Sequence, residues 1–127
     1  MSADASFGKA RRLLNAKDYS RVFDGAEAKA SHRHLLLLAR SNDLPGHRLG
    51  LVIAKKNVRL AVQRNRIKRT AREVFRTMPE SEPGLDVIVL ARRGLDQLDN
   101  AELSTILRQQ WQKLVRHMSQ NSQGTEP

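Results

Sequence analysis

The pattern of apolar and polar positions divides the chain into six elements. Asn15 offers an N-cap, and Ala16 to Asp24 reads as a short helix that ends near Gly25. Residues 26–33 are small and polar and read as a loop. His34 to Arg40 carries a run of leucines, and its shortness favours a strand over a helix. Ser41-Asn-Asp-Leu-Pro-Gly46 is rich in turn formers, and Arg48 to Ala54 follows as a second strand, expected to lie antiparallel to the first. Val58 to Arg76 contains a helix that Pro79 and Pro83-Gly84 break. Asp86 to Ala91 forms a third strand, and Asn100 to Met118 a second long helix with Asn100 as its N-cap. The order α-β-β-(β)-α-β-α, with the bracketed strand tied to no residues, implies a small central sheet with helices packed on it, an α/β two-layer sandwich. Residues 1–8 lack periodicity and are expected to be a disordered tail, 9–118 a single domain, and 119–127 a flexible polar tail.

The two long helices differ in character. In the last one Leu103, Ile106, Leu107, Gln110, Trp111, Leu114, Val115 and Met118 form a core-facing stripe, and Trp111 reads as packing within it. In the middle one, at about 100° per residue, Ile67, Ala71, Val74, Phe75 and Met78 fall on one side. Asn65, Arg69, Arg72 and Arg76 fall nearly opposite; Arg64 and Lys68 flank one edge of the stripe and Arg66 the other. A solvated face normally mixes signs, because opposite charges one turn apart help slightly and like charges cost a similar amount. This ridge of cations has Glu73 as its single acid.

Charge makes the middle of the chain stand out further. The 127 residues carry 23 Lys and Arg against 13 Asp and Glu, net +10. Residues 48–76 hold ten cations and one acid, net +9, so nine of the ten net charges sit in 29 residues. Like charges repel in the compact state, and a polyanion that releases its counterions would offset that repulsion. Guanidinium groups suit phosphate because their fork grips two oxygens. Lys55-Lys56-Asn57 closes the second strand, which places cations at the sheet rim. Tyr19 and Phe23, one turn apart on the first helix, either pack on the sheet or offer a stacking platform for unpaired bases.

Other chemistries are poorly supplied. With no Cys, a disulfide scaffold, a thiolate nucleophile and a Cys-bound metal are excluded. His32, His34, His47 and His117 show no paired helical spacing and read as surface or loop residues. Asp86, Asp96 and Asp99 stand at strand-start and turn positions suited to caps, so no protein catalytic residue and no protein metal site is expected. The apolar runs are far too short to span a membrane and no signal peptide is visible at Met1 to Phe7, so a cytoplasmic location is expected.

Arg48-Leu-Gly50-Leu-Val-Ile-Ala-Lys55-Lys56-Asn57, then Ala61-Val-Gln-Arg64-Asn65-Arg66-Ile-Lys68-Arg69, then Arg72-Glu73 and Phe75-Arg76, closely resembles the signature of the bacterial ribonuclease P protein subunit, with Arg64-Asn65-Arg66 at its RNR motif. The similarity runs from about Arg11 to Val115. It departs at Tyr19, where the family more often has Phe. The resemblance implies an unusual left-handed β-α-β crossover, against the general right-handed rule. It also implies that Arg64, Asn65, Arg66, Lys68, Arg69 and Arg72 contact the ribonuclease P RNA. Tyr19, Phe23, Arg48, Lys55, Lys56 and Asn57 would line a cleft for the 5′ leader of precursor tRNA. Catalysis would belong to the RNA with its bound Mg²⁺, the chain serving an endoribonuclease without supplying catalytic groups. No membrane, small-molecule substrate or obligate protein partner is implied. The alternative is a general or ribosomal single-stranded RNA-binding protein without leader specificity.

Overall fold

A computed structural model of the chain describes residues 12–13, 15–43, 46–78 and 84–124, with side chains through residue 118. The tail expected at 1–8 lies outside the described residues. The elements are α1 (Ala16–Gly25), β1 (Ala28–Ser31), β2 (Leu35–Ser41), β3 (Arg48–Val52), α2 (Ala61–Arg76), β4 (Leu85–Ala91), one 3-10 turn (Leu95–Gln97) and α3 (Asn100–Gly124). The four strands form one mixed sheet in the order β1-β2-β4-β3.

Two expectations about the sheet are corrected. The stretch 26–33 is not all loop, because Ala28–Ser31 forms an edge strand paired antiparallel with β2. Its signal is muted because alanines fill the inward positions, Ala28 and Ala30, while Lys29 and Ser31 face out. The second correction concerns β3, which runs antiparallel to β2 as expected but does not pair with it. It lies parallel to β4, and β4 separates the two. The physical reason lies in β4 itself. Val87, Ile88 and Val89 are all buried, so this strand is apolar on both faces and belongs inside the sheet. Parallel neighbours need a long crossover, and α2 supplies it.

One face of the sheet holds the main core. Leu35, Leu37, Ala39, Val87 and Val89 pack there against Ile67, Ala71, Val74 and Phe75 of α2 and Leu103, Leu107, Trp111 and Leu114 of α3. Trp111 is buried, edge-on to Phe75 and to His47, at centroid distances of 5.2 and 4.9 Å. The apolar stripes of both helices therefore face inward as predicted, apart from Val115, which is exposed. His47 is also not a surface residue: it is buried, and its Nδ1 accepts the Leu85 N–H at 2.9 Å. No described helix is long and apolar enough to cross a membrane.

Caps set the helix ends. Asn15 Oδ1 accepts the Asp18 N–H at the start of α1, as predicted. For α3 the cap is Asp99 rather than Asn100. Asp99 Oδ1 accepts the Glu102 N–H while Glu102 Oε1 accepts the Asp99 N–H, a reciprocal capping box. At its other end α3 runs past Met118 to Gly124.

The second sheet face carries a buried charge. Asp86, 2% exposed, accepts Arg48 Nε on one oxygen at 2.8 Å and Arg48 Nη2 on the other at 2.7 Å. Asn42 Nδ2 adds a bond of 2.9 Å to Asp86 Oδ1. Removing the carboxylate strands a guanidinium that is only 18% exposed. Asp86→Ala is therefore expected to cost about 3–5 kcal/mol in urea denaturation, and pairing Asp86→Leu with Arg48→Met to recover much of that loss.

Candidate nucleic-acid interface

Strand register arranges the second face in three rows: Arg40–Asp86–Arg48, Leu38–Ile88–Gly50 and Leu36–Leu90–Val52. Helix α1 lies over the first two. Asp18 sits 3.7 Å from Arg48, Arg40 donates to the Arg21 carbonyl at 3.4 Å, and Val22 packs with Leu13 and Ile88. The third row is half-buried, as is Leu38 of the second: Leu90 and Val52 pack partly against that cluster, and Leu36 lies half-exposed beside them. Phe23 on α1 is 45% exposed.

Tyr19 is placed differently from Phe23 although they share a helix face. Its ring lies against Gly50, where a Cβ would come within 2.8 Å of Tyr19 Cε2 and 2.9 Å of Leu13 Cδ1. Its hydroxyl accepts the Leu51 N–H at 3.3 Å. Strand β3 is a sheet edge, so Leu51 has no strand to receive that N–H. The Leu13 N–H covers the same edge two residues earlier by donating to the Leu49 carbonyl. The hydroxyl that Phe would lack thus has a structural task here.

The cations fall into two groups. Lys55, Lys56, Asn65 and Arg69 are exposed. Lys55 and Lys56 occupy the turn after β3, at the sheet end where the half-open row lies. Others are engaged internally. Asn57 Nδ2 donates to the Ala91 carbonyl at 2.9 Å, tying that turn to β4. Arg64 Nη1 donates to the Val58 and Arg59 carbonyls at 3.0 and 2.9 Å, bracing the entry to α2. Arg66 donates to Gln63 Oε1, Asn100 Oδ1 and the Asp96 carbonyl, clamping α2 to the start of α3. Lys68 and Arg72 are half-buried. Burial first, and then the Arg12 guanidinium, pulls Arg72 below the usual guanidinium value, with Tyr19 opposing the shift. Arg48 is raised above it, chiefly by its hydrogen bond to Asp86, against its own desolvation.

The family resemblance points to Arg48 without its partner. Asp86 stands at a strand start, where a cap is the usual expectation, and the register that sets it beside Arg48 depends on the strand order. The open row is announced more plainly, because a run of leucines in β2 must be apolar on both faces. Among the described residues no three His, Asp or Glu gather to hold a metal ion.

A cation-rich helix, a half-buried apolar row, an exposed aromatic and two rim lysines define a small basic α/β module. Comparison with known proteins places it more narrowly. The family model for Ribonuclease P matches residues 7–115, and the chain belongs to that family. It is 50% identical over 117 residues to the Ribonuclease P protein component of Marinobacter nauticus, covering 92% of this chain and 88% of that one. The counterpart from Pseudomonas aeruginosa is 50% identical over 111 residues, covering 87% and 82%. Among solved structures, the RNase P protein of Staphylococcus aureus superposes with a TM-score of 0.75 at 26% identity, covering 83% of this chain and 95% of that one. The RNase P protein from Thermotoga maritima gives 0.66 at 27% identity, covering 83% and 96%.

The Tyr19 geometry sets a graded pair of expectations for chemical denaturation. Tyr19→Phe loses one edge hydrogen bond and is expected to cost about 1 kcal/mol. Gly50→Ala forces the ring and Leu13 aside and is expected to cost about 1–3 kcal/mol.

Proposed function

We propose that this chain acts as the protein subunit of a ribonuclease P, gripping both the catalytic RNA and the substrate leader. The observation that carries the reading is the exposed Phe23 on the helix that leaves the Leu36–Leu90–Val52 row open. An exposed ring beside a half-buried apolar row supplies a stacking surface for an unpaired base. Lys55 and Lys56 at the rim would meet the leader phosphates. Arg48 would act indirectly, holding α1 and the cleft floor in place through Asp86 and Asp18. On α2, Asn65, Lys68, Arg69 and Arg72 would face the RNA subunit, while Arg64 and Arg66 would fix the helix that presents them.

Hydrolysis would be performed by the RNA with its bound Mg²⁺. The protein would favour precursor over mature tRNA by holding the leader, and would screen RNA–RNA repulsion so that less Mg²⁺ is needed. Its RNA partners would be the ribonuclease P RNA and precursor tRNA.

The test is cleavage of precursor tRNA by a bacterial ribonuclease P RNA at low Mg²⁺, with and without this protein. Stimulation that grows as the leader is lengthened from one to about eight nucleotides supports the reading; this number follows from single-strand site sizes of about 4–16 nucleotides. Stimulation independent of leader length would favour a general RNA-binding role. Phe23→Ala is expected to weaken precursor binding by about 1–3 kcal/mol and leave mature tRNA binding and the melting temperature unchanged. A drop in melting temperature instead would mean that the ring serves packing.

A further inference from the structure

Nine net positive charges in residues 48–76 draw attention to α2, and the −2 of residues 77–127 hides a second concentration. The described acids of that segment end at Glu102. None of β1, the 32–34 turn or residues 103–118 of α3 contains Asp or Glu. Together they hold Lys29, Arg33, Lys113 and Arg116, and three of the four histidines, while Arg108 turns to Thr77 at the end of α2. The fold brings these stretches together. Helix α3 packs over β1 and β2, and His117 Nδ1 lies 2.9 Å from the Lys29 carbonyl. Lys29, Arg33, Lys113 and Arg116 are all exposed.

We propose that the β1–α3 edge is a second phosphate-binding surface, which takes the backbone of an RNA duplex. It rests on the reading that this chain binds RNA, and adds a face that reading does not use. Helix α2 packs on the other flank of α3 and touches β3, the strand at the opposite edge of the sheet. Three strand spacings, roughly 14 Å, separate the two edges. A duplex is favoured over a single strand because this edge exposes no Phe, Tyr or Trp for bases to stack on. The protein would thus bridge two RNA segments, a strand or loop at the α1–β3 side and a stem at the β1–α3 side.

The turn at 32–34 supports this placement. Arg92 Nη1 donates to the His32 carbonyl at 2.9 Å and to Ser31 Oγ at 3.0 Å, and the His34 N–H donates to His32 Nδ1 at 3.1 Å. Burial first, then His34, Arg33, Arg92 and Lys113, holds His32 below the ordinary imidazole value. A phosphate bound there would counter those cations, so His32 should titrate upward with RNA present.

The test uses the full chain and a labelled RNA hairpin with a stem of about 16 base pairs. Backbone amide shifts are expected at Lys29, Arg33 and 113–117, with the His32 titration moving up. K113Q/R116Q, with an unchanged melting temperature, should weaken hairpin binding about tenfold at moderate salt and lower the salt slope by about 1.4–1.8 for two lost contacts. Shifts confined to α1, α2 and β3, or an unchanged slope in K113Q/R116Q, would overturn the proposal. Leader-dependent cleavage measured on the same preparation separates the two readings. Its absence with the β1–α3 shifts present would remove the leader role and keep the second surface.

Discussion

The buried carboxylate of Asp86 is the constraint on which the working face of this protein depends. A charge so far from water must be met on both oxygens, and Arg48 supplies the fork, with Asn42 adding a third donor. That geometry lays the Arg48 side chain along the sheet. Its outer nitrogen then stands beside Asp18, so the start of α1 is drawn to the β3–β4 end of the first row. Arg40, next in the same row, reaches the Arg21 carbonyl and holds the helix further along. With α1 fixed over two rows, the third remains half-open. The cleft is thus a consequence of where one helix is pinned.

Most of the sheet's apolar area is buried on the α2–α3 face, and among the described residues the buried apolar cluster of the α1 face is Leu13, Val22 and Ile88. Such a thin core needs polar anchoring at its margins. Tyr19 provides it at the β3 edge, where Gly50 admits the ring and Leu51 supplies the donor. On α2 a similar division holds. Arg64 and Arg66 spend their donors on carbonyls and amides that set the helix, which leaves Asn65 and Arg69 outward. A count of cations therefore overstates the interface. Some of the charge is scaffold, and it aims the remainder.

Element types were legible because the periodicities are strong. Ile67, Ala71, Val74 and Phe75 repeat at helical spacing and are all buried. Strand order was not legible. A tight turn between β2 and β3 suggests a hairpin, yet β4 is apolar on both faces and takes the position between them by burying more surface. Strand β1 escaped notice because Ala28 and Ala30 carry too little apolar bulk to register, although small side chains there let α3 come close. The cap of α3 was placed one residue late, since Asp99 and Asn100 are both good caps and only the Glu102 contact distinguishes them. In the candidate site, residue types and spacing identified the cations and aromatics. Which were free and which engaged depended on partners distant in sequence, such as Asp96 and Asn100 for Arg66.

Placing the cations at two edges also bears on how so basic a chain stays folded. Screening in physiological salt falls off over about 8 Å, less than the roughly 14 Å between the outer strands. Within each patch the repulsion persists: burial first, and neighbouring cations after it, hold His32 and Arg72 below their ordinary values. Tied guanidiniums relieve part of it, because Arg66 and Arg92 rest on carbonyl dipoles rather than facing neighbours across open solvent. What relief the fold does not provide, a phosphate backbone can. The charge is thus a repulsion that the fold's own carbonyls relieve only in part.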